Sequence, residues 1–247
     1  MFENVTRMVR QAKEDGYAVP ALNTNGATYD ITRAALEASQ EMQAPVIIQV
    51  YHPNTAYRGM PFFVKQVEAL AGELGITVPV CLQLDHGKSV EVCAEAMDAG
   101  LTSVMIDGSH EPFADNVGMT RETLRLAHPR GVSVEAEIGY VAGNEPKQES
   151  QIGRIPVPEK PTVPPGRTEL VEAVDFVAQT GVDLLAVSVG TIHGVYQQQT
   201  GIDFDLLAQI NQAVDVPLVQ HGTCGISLED LSRLASIGMA KINFGEP

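Results

Sequence analysis

Eight short apolar runs alternate with longer segments along the chain. Most of the longer segments carry apolar residues three and four positions apart, which is the period of an amphipathic helix. Parallel strands joined by crossover helices produce this alternation, and runs such as PVIIQV are typical of a sheet buried on both faces. The predicted strands are Tyr17–Leu22, Pro45–Val50, Val78–Leu84, Thr102–Ile106, Val132–Ile138, Asp183–Val189, Val216–Gln220 and Lys241–Phe244.

Eight such units close most simply into an α/β fold of the (β/α)8 TIM-barrel type, and a chain of 247 residues suits one such domain. An open doubly wound sheet is the alternative, but no glycine-rich dinucleotide loop follows the first strand. The chain ends at Pro247, three residues after the eighth predicted strand. We therefore expect a single barrel domain over residues 1–247 that lacks the final helix. Either the sequence is a truncated product, or a partner subunit covers the region of strands eight and one.

The composition limits the classes of partner. The chain has 31 Asp and Glu against 16 Lys and Arg, a net charge of −15, which argues against binding nucleic acid or an anionic membrane. No apolar run approaches the roughly 18 residues of a membrane span, and the first segment is predicted to be an amphipathic helix, not a signal peptide. The three cysteines are an odd number without CxxC spacing. We expect a soluble, cytoplasmic protein without disulfides.

Residues 140–167 interrupt the strand and helix pattern. This segment holds six prolines and little periodicity, so we predict a long loop after the fifth strand. Loops of this length inside a compact domain are usually functional.

Polar side chains collect where the predicted strands end, which is where TIM barrels place their chemistry. His86, His193 and His221 each follow a different strand, and a glycine follows each of them. We expect the glycines to let backbone and ligand approach closely. Three neutral imidazoles would leave a divalent cation with an open coordination position, as in a Lewis-acid site. Glu137 could be a fourth or alternative ligand. The histidines at 52, 110 and 128 are weaker candidates.

Several motifs occur in a fixed order: LQLDHG (82–87), TSVMIDGSH (102–110), VSVEAEIG (132–139), LLAVSVGTIHGVY (184–196) and VQHGTCG (219–225). With GYAVPALNTNG (16–26), PVIIQV (45–50) and, more weakly, KINFG (241–245), they resemble the class II, metal-dependent ketose-bisphosphate aldolases, which include fructose- and tagatose-bisphosphate aldolases. The resemblance runs from about residue 16 to the C-terminus. It implies a glycolytic lyase that binds a sugar phosphate. It also implies Zn²⁺ or another divalent transition metal, and allows a monovalent cation beside it. The missing final helix leads us to expect a homodimer or homotetramer.

The resemblance also implies roles for individual residues. His86, His193 and His221 would be the zinc ligands, with Glu137 at an alternative carboxylate position. Asp85 would be the acid/base for the hydroxyl proton at the cleaved carbon. In the long loop, Glu145 would exchange the proton on the three-carbon fragment. The implied substrate-binding residues are Asn23, Asp107, Gly194, Gly222, Cys224 and Asn243. For Asp107, helix capping or a hydrogen bond within the loop is an equal alternative.

The chemistry agrees with this set of residues. Breaking a C–C bond beside a ketone leaves an enediolate, whose negative charge a metal can stabilise, and two carboxylates can move the protons. The products would be dihydroxyacetone phosphate, or a similar fragment, and an aldehyde. A Schiff base on Lys241 is the competing route, but we expect this lysine to be a buried structural residue.

Three departures from the family pattern leave the substrate open. Cys224 replaces a serine, Glu246 stands where a hydroxyl is usual, and Tyr51 begins a bulky run in place of a small hydroxyl residue. An active zinc aldolase is the first hypothesis. A catalytically weak relative that binds a metal or sugar phosphate in a regulatory or assembly role is the second, and metal-assisted hydrolysis is a further alternative. The intact Asp85 and Glu145 favour the first.

Overall fold

The computed structural model describes residues 2–56, 58–139, 141, 166–191, 193 and 201–245. Eight parallel strands follow one another in chain order around a closed barrel, so the predicted TIM barrel is confirmed. Each predicted strand is present, with bounds that differ by at most three residues. The strands are β1 (Val19–Asn23), β2 (Val46–Tyr51), β3 (Val80–Gly87), β4 (Ser103–Ile106), β5 (Ser133–Ile138), β6 (Leu184–Val187), β7 (Leu218–Gln220) and β8 (Met239–Phe244).

One helix precedes the barrel, and a helix joins each strand to the next. The helices are α1 (Thr6–Asp15), α2 (Tyr29–Met42), α3 (Met60–Glu73), α4 (Val90–Ala99), α5 (Phe113–Ala127), α6 (Leu170–Thr180), α7 (Phe204–Ala213) and α8 (Leu228–Ile237). The backbone at Gly100 and Gly181 is left-handed, with φ of 102° and 66°, so these two glycines end α4 and α6 without a Cβ clash. Within the described ranges, no helix is both long and apolar enough to cross a bilayer.

The outer faces of the strands bury apolar side chains against the helices, which explains their near-continuous apolar sequences. At the amino-terminal end of the barrel, a second apolar cluster forms between inward side chains such as Ile47 and Val219 and the buried face of α1. Val9 and Ala12 of this helix, and Val5 just before it, have no exposed surface. Burial of each larger aliphatic side chain contributes about 1.5–3 kcal/mol. The predicted amphipathic first helix is therefore confirmed, and it closes this end of the barrel.

The opposite end of the barrel holds the predicted site. Thr168, just before α6, donates its hydroxyl to the Ile138 carbonyl at 2.9 Å and accepts the Ser188 amide at 2.9 Å. This side chain ties the ends of β5 and β6 together at the rim. Of the predicted loop over 140–167, residues 140 and 142–165 lie outside the described residues.

Candidate active site at the carboxyl ends of the strands

The three histidines predicted as ligands meet at the carboxyl-terminal rim of the barrel. The His86 ring centroid lies 5.4 Å from that of His193 and 4.9 Å from that of His221. His193 and His221 are 5.8 Å apart by the same measure. Each ring offers a nitrogen within 4.8 Å of a nitrogen of each of the other two rings, so one cation could contact all three.

Asp85 and His86 are neighbours in sequence, yet both reach this site because β3 is irregular. Successive side chains of a regular strand point to opposite faces of the sheet. The backbone of His86 is left-handed, with φ of 50°, and the β3–β4 register shifts between Leu84 and Gly87. This bulge turns the imidazole toward the barrel mouth beside the carboxylate.

Gly87 is required by packing at the same bulge. A Cβ there would lie 2.7 Å from the Met105 carbonyl oxygen and 2.9 Å from the Cys93 sulfur. The sequence suggested that this glycine makes room for a ligand. The structure shows instead that it makes room for β4 and α4.

Two carboxylates, those of Asp85 and Asp107, lie beside His86. Its Nδ1 lies 2.8 Å from Asp107 Oδ2, which also accepts from Lys88 Nζ at 2.9 Å. Burial lowers the pKa of His86, but the charge of Asp85 and the bond with Asp107 outweigh burial and raise this pKa to about 9. Burial works against ionisation of Asp107, but its contacts with His86 and Lys88 hold the pKa of this carboxyl far below its usual range. In the metal-free protein, His86 and Asp107 therefore form a charged pair.

His193 and Glu137 contribute polar atoms that the protein leaves without partners. His193 Nε2 and Glu137 Oε2 are both buried, and neither has a hydrogen-bond partner. Burial, together with the neighbouring His86 and His221, holds the pKa of His193 well below its usual value, so this imidazole is neutral. Burial raises the pKa of Glu137 to about 7. Unpaired buried polar atoms are unfavourable, and a bound cation would satisfy both.

His221 is wholly buried on the far side of the cluster. Its Nδ1 lies 3.2 Å from His86 Nε2 and 3.4 Å from Glu137 Oε2. Its Nε2 lies 2.9 Å from Glu135 Oε1. Burial raises the pKa of Glu135, but the ammonium of Lys241 and the contact with His221 outweigh burial and lower this pKa to about 2.

The residues fit a divalent cation. A tetrahedral zinc ion with Zn–N distances of about 2.0–2.1 Å holds its nitrogen ligands about 3.3 Å apart. The 3.2 Å between His86 Nε2 and His221 Nδ1 is close to that separation. His86, Asp107 and Glu137 form a second possible group. The three-histidine group fits better because Asp107 already accepts from His86, Lys88 and Ser109.

Asp85 lies next to the imidazoles and is held by two amides. Its Oδ1 is 4.0 Å from His86 Nε2. Asn23 donates to Oδ2 at 3.2 Å, and Asn243 donates to Oδ1 at 3.3 Å. The carboxylate is buried, with 8% of its residue surface exposed. This arrangement holds both oxygens as acceptors at the edge of the histidine cluster.

Two of the remaining predicted residues, Gly222 and Cys224, lie in the loop after β7. Gly222 has a left-handed backbone with φ of 69°, and Cys224 lies half-buried in the same loop after β7. The Thr223 hydroxyl joins that loop to β8 by donating to the Asn243 carbonyl at 2.7 Å. Glu145 and Gly194 lie outside the described residues.

Glu135 and Gln83 also enter the site, although neither was predicted as a site residue. Gln83 donates to Glu135 Oε2 at 2.7 Å, directly below the imidazoles. Glu135 stands two residues before Glu137 in one strand, and that spacing places both carboxylates on the same face. This spacing was the signal that could have identified Glu135. The histidine at 128 bonds to Asp183 at 3.0 Å instead, away from the cluster.

Comparisons with known proteins agree with this geometry. The family described as "Fructose-bisphosphate aldolase class-II" matches residues 3–246. A fructose-bisphosphate aldolase of Staphylococcus aureus is 42% identical over 241 residues, covering 97% of this chain and 79% of the relative. One from Staphylococcus epidermidis is 43% identical with the same coverage. The crystal structure of the YdjI aldolase from Escherichia coli K12 superimposes with a TM-score of 0.82 at 31% identity, covering 99% of this chain and 81% of that one. The chain therefore belongs to the class II fructose-bisphosphate aldolase family, whose members are carbon–carbon lyases.

Proposed function

We propose that the chain cleaves and forms a C–C bond in a ketose bisphosphate at the three-histidine site, with Zn²⁺ as the metal. The observation that carries the proposal is the convergence of His86, His193 and His221 beside the buried carboxylate of Asp85. The products would be dihydroxyacetone phosphate, or a similar fragment, and an aldehyde.

Three imidazoles, those of His86, His193 and His221, would hold the metal. The nitrogen donors, the unpaired Nε2 of His193 and the 3.2 Å separation of His86 and His221 favour zinc, which prefers tetrahedral nitrogen ligands. Glu137 would be the alternative ligand, because its Oε2 is buried without a partner. A divalent cation bound here would supply positive charge to stabilise the oxyanion that develops beside the ketone when the bond breaks.

Asp85 would take the proton from the hydroxyl on the carbon that becomes the aldehyde. Asn23 and Asn243 donate to its two oxygens, so the side chain is fixed in orientation and keeps its lone pairs available to a substrate hydroxyl. Its place next to His86 puts the base within reach of a hydroxyl beside the bound carbonyl. Glu145 would return a proton to the three-carbon fragment.

The phosphate groups would bind at the rim. The proposed contacts for one phosphate are Gly194, Gly222, Cys224 and Asn243. Asn23 and Asp107 would line the rest of the substrate. The left-handed backbone at Gly222 allows a close approach to a ligand. The relatives are named fructose-bisphosphate aldolases, so fructose bisphosphate is the first substrate to test.

The test uses the chain reconstituted with zinc and assayed for triose-phosphate release from fructose and tagatose bisphosphates. We expect turnover that a chelator abolishes and zinc restores. His86→Asn should lose both zinc and activity, whereas His128→Asn should keep both, since His128 lies 3.0 Å from Asp183, away from the site. Chelator-resistant turnover would overturn the metal mechanism. Stoichiometric zinc without turnover of any ketose phosphate would favour the binding or regulatory alternative.

The competing Schiff-base route is tested on the same protein. Lys241 has no exposed surface and is held by Glu135 and Asn243, so we expect no lysine to be labelled by borohydride in the presence of substrate. The homodimer or homotetramer and the cytoplasmic location stay predictions. Light scattering tests the first, and a well-folded monomer would contradict it.

A further inference from the structure

A buried ion pair lies below the imidazoles, and the proposed chemistry does not use it. Lys241 on β8 and Glu135 on β5 have no exposed surface, and Lys241 Nζ lies 2.8 Å from Glu135 Oε2. Removing two charges from water is unfavourable, and a well-packed apolar pair is often equally stable. Stability alone is therefore a weak explanation for these two residues.

Glu135 contacts the metal-site histidine with its other oxygen. Oε2 accepts from Lys241 and, at 2.7 Å, from Gln83, while Oε1 lies 2.9 Å from His221 Nε2. An ionised carboxylate can only accept, so His221 must carry its proton on Nε2. In a neutral imidazole the lone pair is then on Nδ1. Nδ1 is the nitrogen that lies 3.2 Å from His86 Nε2 and faces the cluster.

Lys241 is also connected to the proposed base, Asp85, through hydrogen bonds of Asn243. Its Nζ donates to Asn243 Oδ1 at 2.6 Å, which turns the other end of that amide toward Asp85 Oδ1 at 3.3 Å. Asn243 Nδ2 also lies 3.1 Å from His221 Nε2. Since both of these nitrogens carry hydrogen when Nε2 bonds to Glu135, that contact is not a hydrogen bond. The ammonium group of Lys241 thus orients two side chains. Glu135 contacts the proposed metal ligand His221, and Asn243 contacts the proposed base Asp85.

We infer that Glu135 and Lys241 are positioning residues: Glu135 holds His221 in the tautomer that presents Nδ1 to the cation, and Lys241 fixes Glu135 and Asn243 together. The inference rests on the proposed function, because it takes the metal to bind at the three imidazoles. Neither residue contacts the reacting atoms. Partners of this kind typically change metal affinity 10- to 100-fold when they are removed.

The experiment removes both charges together, so that no single charge is left buried. In the double variant Glu135→Leu with Lys241→Met, no oxygen at position 135 is left to accept a hydrogen bond from His221 Nε2. The tautomer of His221 is read from the ¹⁵N shifts of its ring in the metal-free protein. Zinc affinity is read from competition with a chromophoric chelator. Met105→Leu is the matched control, because Met105 is the buried register partner of Glu135 on β4.

We expect a single Nε2–H tautomer for His221 in the wild type and in Met105→Leu. The double variant should show a mixture of tautomers and bind zinc 10- to 100-fold more weakly. An unchanged tautomer, or zinc affinity within threefold of the wild type, would overturn the inference. If the double variant fails to fold, the wild type alone decides, since an Nδ1–H tautomer there contradicts the proposed role of Glu135. A wild type that binds no zinc but keeps the Nε2–H tautomer would instead overturn the proposed function.

Discussion

Asp107 Oδ2 lies 2.8 Å from His86 Nδ1, on the opposite edge of the ring from the nitrogen that faces His221. The Asp107 side chain is almost wholly buried and also accepts from Lys88. The carboxylate therefore sets the orientation of the ring and increases the basicity of the proposed ligand nitrogen.

Replacing Asp107 with asparagine should weaken zinc binding by about 10- to 100-fold, because the neutral amide supports the imidazole less strongly. Chelator competition measures the change. Asp98→Asn is the control, since 71% of the Asp98 side chain is exposed and it contacts Arg130 at the surface. An affinity within threefold of the wild type would contradict a supporting role for Asp107.

Asp85→Asn should leave zinc stoichiometry intact while kcat falls about 10²- to 10⁴-fold, because the proposed proton acceptor is lost. The new amide could accept from only one of the two donors, Asn23 or Asn243, so the other hydrogen bond is lost as well. Steady-state kinetics on zinc-loaded protein give kcat, and metal analysis gives the stoichiometry. Asp205→Asn, at an exposed position in the first turn of α7, should change neither. Full activity in the Asp85 variant would remove this residue from the mechanism.

The stability of the metal-free protein should decrease as the pH rises from 6.5 to 9. The pKa of His86 is about 9 in the folded chain against 6.5 for an unperturbed histidine, so the folded state retains a proton that the unfolded state loses. The contribution of His86 to the free energy of unfolding is complete below pH 6.5 and is lost as the pH passes 9. The difference is on the order of 3 kcal/mol.

Denaturant unfolding with a chelator present, at pH 6.5 and pH 9.5, measures this change. His86→Asn should show a smaller decrease, and His128→Asn should behave as the wild type. Zinc affinity should have the opposite pH dependence, because His86 must release its proton to bind a cation. If the free energy of unfolding decreases equally between the two pH values in the wild type and in His86→Asn, this imidazole is not charged in the metal-free fold.

Cys224→Ser should lower KM for a ketose bisphosphate by a few-fold and leave kcat unchanged. A hydroxyl donates a stronger hydrogen bond than a thiol, and Cys224 lies half-buried in the loop that we propose to contact phosphate. Initial-rate measurements on both proteins give the two constants. Cys93→Ser is unsuitable as a control because Cys93 is packed under Gly87, so Ser227→Ala at the start of α8 is used instead. A change in kcat alone would contradict phosphate binding by this loop.

The sequence predicts the barrel well because its elements depend on local patterns. Apolar runs such as Val46–Val50 are buried on both faces, and Gly100 and Gly181 end helices where a left-handed residue is needed. The same logic predicts the site, since parallel strands in a barrel bring their carboxyl ends to one rim. That rule brings His86, His193 and His221 to one rim, and the resemblance to the aldolase family distinguishes them from His52 and His110, which also follow strands.

Contacts across the barrel could not be predicted in this way. Glu135 and Lys241 are on β5 and β8, and their pairing depends on closure of the barrel and on the β7–β8 register shift near Val219. The bulge at His86 is also invisible in the sequence, because a histidine with positive φ is uncommon. The sequence suggested that Gly87 makes room for a ligand, whereas a Cβ at this position would collide with the Met105 carbonyl and the Cys93 sulfur.

The bulge in β3 ties the proposed proton acceptor, Asp85, and a proposed metal ligand, His86, to a single distortion of one strand. Deleting one residue before it would shift both side chains by a full step and send them to the wrong faces together. Substitutions that alter the substrate pocket without disturbing this distortion are therefore expected at other strand ends, such as the loop after β7 that holds Cys224.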